Sequence, residues 1–111
     1  MKSYTDIKQS KKLAEILPLE SADMGWFYSR NPQAARNQMW AGTKAENADI
    51  PCWTLSALFK MLPYSARLER GSSTELCYVT LPNELESSGW HIEPVDACYE
   101  MILKLHELKK L

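Results

Sequence analysis

The sequence has little of the material from which common catalytic and phosphate-binding motifs are built. It contains only four glycines, and no GxxxxGK[ST], GxGxxG, HExxH or GxSxG pattern occurs in it. Glycine-rich loops let backbone amides surround phosphate groups, and these motifs mark many hydrolases and nucleotide-binding proteins. The absence of all four patterns excludes the enzyme classes that they define.

Cysteine is also scarce, and the three thiols are far apart in the chain. Cys52, Cys77 and Cys98 are separated by 25 and 21 residues. Secreted disulfide frameworks use an even number of cysteines, and zinc sites usually contain close pairs such as C-x-x-C. Neither pattern is present, so we expect reduced, buried thiols in a cytoplasmic protein with no metal and no cofactor.

The chain lacks both a dominant charge and a long apolar run. Its formal net charge is −1, whereas proteins that bind many phosphates are usually basic. The start, MKSYTDIKQSKK, is polar, and no stretch approaches the roughly 20 apolar residues of a membrane span. Lys8, Lys11 and Lys12 are close enough to line one helix face, but such faces are most often simply solvated. Nucleic acid and membranes are therefore not expected partners.

What the sequence does contain is alternating helical and strand periodicity. Apolar residues recur at helical spacing in three segments, and strand-like alternation follows the first and second of these segments. We predict one α+β domain over residues 1–111, with about three helices packed on a four- or five-stranded, mostly antiparallel sheet. The predicted elements are a helix over 6–17, a hairpin around 24–42, a helix over 54–62, a hairpin and strand over 66–93, and a helix over 94–109.

The stretch PCWTLSALFKMLP, residues 51–63, is almost wholly apolar. Thr54 is a suitable N-cap, and Pro63 ends the helix. Most of the circumference of this helix would be apolar. We therefore predict that it is the central, buried helix of the domain. Leu58, Phe59 and Leu62 are expected to pack on the C-terminal helix and the sheet.

Cys52 is the best nucleophile candidate, since a thiol near a helix N-terminus can have a lowered pKa. However, Cys52 lies between Pro51 and Trp53, and an apolar setting raises the pKa of a thiol. We therefore predict no catalytic residue. A small-ligand or enzymatic site that uses Cys52, or His91 as a base, is kept as the alternative.

Aromatic residues make up 10% of the chain and include four tryptophans. We expect Trp53 and Trp90 to lie in the core. In the strand MGWFYSR, Trp26 and Tyr28 share one face and Phe27 lies on the other, so the strand is apolar on both sides. Such a strand is either covered by helices or exposed to a partner. The resulting candidate interaction surface consists of Trp26, Phe27, Tyr28 and Trp40.

Four segments carry a resemblance to a known family: QSKKLAEIL, ESADM, IPCWTLSALFKMLP and PVDACYEMILKLHEL. In this order they resemble a family of small uncharacterised proteins from phages, prophages and mobile elements of gut bacteria. Its most specific parts are the P-x-W-x-L-x-A-L run from Pro51 to Leu58 and the D-A-x-Y-E-M-I run from Asp96 to Ile102. The segment NPQAARN has no counterpart in it.

The resemblance implies an intracellular bacterial protein encoded by, or descended from, a mobile element, and it supplies no catalytic residues. Together with the candidate surface, it predicts a non-enzymatic accessory or interaction protein that acts through protein contacts. The expected partner is another protein or a second copy of the chain.

Overall fold

The computed structural model describes residues 2–29, 39–43, 47–71, 76–81 and 86–110. Within these ranges the chain forms three α-helices, one short 3-10 helix (Leu19–Ser21) and six strands. None of the helices in these ranges combines the length and apolar character needed to cross a bilayer. In chain order the elements are α1 (Ile7–Ala14), β1 (Met24–Tyr28), β2 (Met39–Gly42), β3 (Ile50–Cys52), α2 (Leu55–Lys60), β4 (Arg67–Arg70), β5 (Cys77–Leu81), β6 (Glu86–Ser87) and α3 (Pro94–Glu107).

The described strands form two antiparallel sheets of three strands each, in the orders β2-β1-β3 and β4-β5-β6. The predicted α+β class is confirmed, but the prediction of one sheet with four or five strands is wrong. Strands pair here with strands that are near in sequence, and α2 separates β3 from β4. Periodicity shows that a strand exists but does not show which strand it pairs with.

Helix α1 is shorter than the predicted helix over 6–17: it begins at Ile7 and ends at Ala14. Asp6 is the N-cap: its carboxylate accepts from the Gln9 N–H at 2.8 Å, and the Gln9 side chain accepts from the Asp6 N–H at 3.1 Å. This reciprocal pair is a capping box, which satisfies two otherwise free amides. The preceding residue, Thr5, is fully buried, and its hydroxyl lies 2.7 Å from the hydroxyl of Ser10 in α1.

The main core lies where α3 packs on β5 and α2. Leu58 and Leu62 of the predicted central helix are buried, as expected, but Phe59 is 37% exposed. Positions four apart lie on one side of a helix, whereas the next residue is rotated by about 100°. Since α2 has only six residues, it buries one side and leaves Phe59 at its margin.

Trp53 is fully buried, as predicted, but the prediction that Trp90 lies in the core is wrong. Trp90 is 57% exposed. Its neighbour His91 forms an antiparallel bridge with Cys77, and the Cys77 side chain faces the core. Because successive residues of extended chain point to opposite sides, Trp90 is directed away from the core. The segment NPQAARN lies outside the described residues.

Candidate interaction surface

The β1–β2 hairpin brings all four residues of the predicted surface together, but on two different faces. The register pairs Trp26 with Ala41, Phe27 with Trp40 and Tyr28 with Met39. Directly opposed residues in an antiparallel pair lie on the same face. Phe27 and Trp40 therefore share one face, which we call the outer face, while Trp26 and Tyr28 belong to the inner face.

On the outer face, Phe27 and Trp40 form a stacked pair. Their ring centroids are 4.7 Å apart and the rings are inclined by 21°. Trp40 is 53% exposed and Phe27 is half-buried. Offset stacking of this kind contributes about 0.5–1.5 kcal/mol beyond the burial of the rings. The pair is thus an ordered aromatic surface that remains accessible to solvent.

Gly42 allows the two rings to lie close to the backbone of β2. A Cβ atom at this position would be 2.7 Å from Cζ3 of Trp40 and 3.0 Å from Cε2 of Phe27. The first distance is shorter than real carbon contacts, so any side chain at Gly42 would displace the Trp40 ring. The absence of a side chain at Gly42 therefore leaves the space that the Trp40 and Phe27 rings occupy on the outer face.

On the inner face, Trp26 anchors the hairpin to the N-terminal segment. Its indole N–H donates to the Thr5 carbonyl at 3.1 Å, and its ring meets that of Tyr4 edge to face at 5.7 Å. Trp26 is half-buried. Tyr28, at the end of β1, is 46% exposed, and its backbone N–H donates to the Asp49 carboxylate at 2.7 Å. Of the inner-face pair, only Tyr28 presents a largely accessible ring.

Cys52, the candidate nucleophile, is fully buried among hydroxyl groups. Its thiol donates to the Thr5 carbonyl at 3.4 Å and accepts from the Thr5 hydroxyl at 3.5 Å. The Thr5 and Ser10 hydroxyls are 2.7 Å apart, and both residues are buried. Burial raises the pKa of the Cys52 thiol, so at neutral pH the group is protonated and unreactive.

The other two thiols share this character, which leads to a prediction about alkylation. Cys77 and Cys98 are buried, and burial raises the pKa of Cys98 to about 12. We expect iodoacetamide at neutral pH to leave all three thiols unmodified in the native protein and to modify all three in denaturant. Intact-mass spectrometry distinguishes the two states. Rapid, selective labelling of native Cys52 would contradict the burial described here and favour the enzymatic alternative.

His91, the candidate base, is held by backbone pairing on the second sheet. Its N–H donates to the Cys77 carbonyl at 2.8 Å, and its own carbonyl accepts from the Cys77 N–H at 2.7 Å. Its ring Nε2 lies 3.2 Å from the Ser88 carbonyl. Cys52 belongs to the first sheet. In the part of the chain that the structure describes, no three His, Cys, Asp or Glu residues are placed to hold a metal ion.

Comparison of the chain with protein-family models, curated proteins and solved structures gives no match.

A second exposed aromatic group was missed at the sequence level. Trp90 meets Tyr78 edge to face, with centroids 4.6 Å apart and rings inclined by 65°. Ile92, two residues further along the chain, is 70% exposed. Alternation along Cys77–Leu81 separates Tyr78 from the buried Cys77, Val79 and Leu81, but it does not show that Trp90 contacts Tyr78 on the exposed side.

Proposed function

We propose that this protein is a non-enzymatic interaction module of a bacterial mobile element, which binds a protein through the outer face of the β1–β2 hairpin. The supporting observation is the exposed Phe27–Trp40 stack over Gly42. Its ordered rings lose little conformational freedom on binding, and tryptophan and tyrosine are enriched among the residues that dominate interface energetics. The mobile-element origin and the cytoplasmic location are part of this proposal and come from the resemblance and the cysteine pattern.

The chemistry of the hairpin favours a protein partner over a charged ligand. Neither β1, with the sequence MGWFY, nor β2, with the sequence MWAG, contains a charged residue. The centres of protein interfaces are likewise depleted in charge and enriched in aromatic residues and methionine. An uncharged aromatic face has no positive group to attract phosphate. The apolar surface of another protein therefore complements this face better than a charged ligand does.

The enzymatic alternative has less support from the geometry. Nucleophilic catalysis requires an accessible thiolate, whereas Cys52 is fully buried and its pKa is raised by that burial. His91 is bonded through its backbone to the other sheet. The hydrogen bonds of the Cys52 thiol are made with Thr5 and not with His91, so the alternative lacks the nucleophile–base contact that it needs.

Site-specific photo-crosslinking in the bacterium that carries the gene tests the proposal. We would replace Trp40, the more exposed ring of the outer face, with p-benzoylphenylalanine, which keeps an aromatic side chain at this position. The matched control carries the same replacement at Tyr64, which is fully exposed after α2. We expect a discrete crosslinked protein from position 40 and none from position 64. No crosslink from position 40, or a crosslink from position 64 alone, would contradict the proposal.

A further inference from the structure

Strand β2 is an edge strand that lacks the features that usually protect such edges. It pairs only with β1 among the described residues, so within this part of the chain one side of its backbone has no strand partner. Natural sheets block unpaired edges with charged residues, proline or very short strands, because a free edge can add another strand. The residues of β2, Met39–Gly42, include no charge and no proline.

The other three sheet edges each carry one of these protective features. β3 has Pro51 at its centre, which removes a hydrogen-bond donor. β4 exposes Arg67, Glu69 and Arg70. β6 has only two residues. Of the four edge strands in the described sheets, β2 alone lacks a protective feature. The same strand carries Trp40 of the outer face.

We propose that β2 pairs antiparallel with β2 of a second copy of this chain, which joins the two β2-β1-β3 sheets into one of six strands. This inference rests on the proposed function, since it identifies the protein bound at the hairpin as another copy, whose β2 lies along the edge of the outer face next to Trp40. Most soluble homo-oligomers are closed, and a two-fold interface uses the same patch of both subunits. An edge strand meets this condition because it can pair antiparallel with the same strand of a second copy.

Two-fold symmetry also determines what happens to the aromatic face. Symmetric antiparallel pairing places equivalent faces of the two copies on the same side of the joined sheet. The registers centred on Trp40 or on Ala41 both meet this condition. In the first, Trp40 lies opposite the second copy's Trp40; in the second, it lies opposite Gly42, which has no side chain. In both, the Phe27–Trp40 pairs form one continuous apolar surface.

Charge favours a second copy over a foreign strand. The two β2 strands bring no charge to the joint, so no ionised group is desolvated without a partner. The net charge of −1 is too small to keep two copies apart by long-range repulsion. A charged foreign strand would find no complementary group on β2.

Analytical ultracentrifugation of the full chain, from micromolar to near-millimolar concentration, tests this inference with two matched variants. Trp40→Lys places a charge on the β2 edge, whereas Trp90→Lys makes the same change at a tryptophan of similar exposure with a similar aromatic neighbour. We expect the native chain and Trp90→Lys to dimerise alike. Trp40→Lys should raise the dimer dissociation constant roughly 30-fold or more. Circular dichroism checks that each variant folds.

Hydrogen exchange of the native chain gives a readout that needs no variant. Amides of residues 39–42 should become more protected as concentration rises, because β2 gains a strand partner. A monomer at every concentration, a dimer that Trp40→Lys leaves intact, or protection confined to other residues would each overturn the inference.

The crosslinking experiment separates this inference from the proposed function. A crosslink from position 40 of twice the monomer mass supports both. A crosslink to a different protein, with a monomer in solution, overturns the second copy as the occupant and leaves the proposed function standing. No crosslink from position 40 contradicts the proposed function itself.

Discussion

Replacing Trp53 with alanine is expected to lower the free energy of unfolding by about 3–5 kcal/mol. Trp53 is fully buried, and its indole N–H donates to the Ser21 hydroxyl at 2.9 Å. Truncation therefore leaves a large cavity and removes the donor to that hydroxyl, which itself donates to the Pro18 carbonyl. The backbone of Trp53 also pairs with Thr5, with the Thr5 N–H 2.9 Å from the Trp53 carbonyl. Any shift of the chain into the cavity would strain this connection.

The measurement is urea unfolding followed by far-UV circular dichroism, since a fluorescence signal would itself change with the tryptophan. Trp90→Ala is the matched control. Its ring is more than half exposed and touches Tyr78, so we expect a loss of about 1 kcal/mol or less. Equal losses in the two variants would mean that Trp53 is not the core residue described here.

The second large effect is expected at Leu58, where replacement by alanine should cost about 2–5 kcal/mol. Leu58 is fully buried on the side of α2 that packs against α3. The helix has only six residues, so little of its stability comes from its own hydrogen bonds, and it depends on this packing. The cost should reach the upper part of the range if the surrounding side chains cannot close the cavity.

Phe59→Ala is the control for Leu58→Ala, because it alters the adjacent position of the same helix. Phe59 is partly exposed, and its truncation removes less surface from the core, so the expected loss is clearly smaller. Thermal and urea unfolding of both variants supply the comparison. A loss below half a kcal/mol for Leu58→Ala, against the range expected for a buried leucine, would contradict its placement in the core.

Local patterns predicted the helices well because helix formation depends on neighbouring residues. The helix predicted over 94–109 corresponds to α3, which begins at Pro94 as predicted and ends at Glu107, two residues earlier than predicted. The Thr54 cap of α2 is also observed, with the Thr54 hydroxyl accepting from the Ala57 N–H at 3.2 Å. Each of these features depends only on residues that are a few positions apart in the sequence.

Residue alternation likewise separated Phe27 from Trp26 and Tyr28, and the register of the hairpin agrees with it. It did not show that Trp26 would bond to Thr5 while Trp40 stayed half exposed. That difference depends on the N-terminal segment, which lies over one face of the hairpin and contacts Trp26 through Tyr4 and Thr5.

The sequence by itself determined the α+β class, the near-neutral charge, the uncharged hairpin strands and the buried character of Cys52. Only the tertiary structure decided that the described strands form two sheets, that Trp53 is buried while Trp90 is exposed, and that β2 lies at the edge of its sheet among the described strands. The physical reason is that periodicity records how a segment alternates, whereas burial and pairing depend on which distant segment packs against each face.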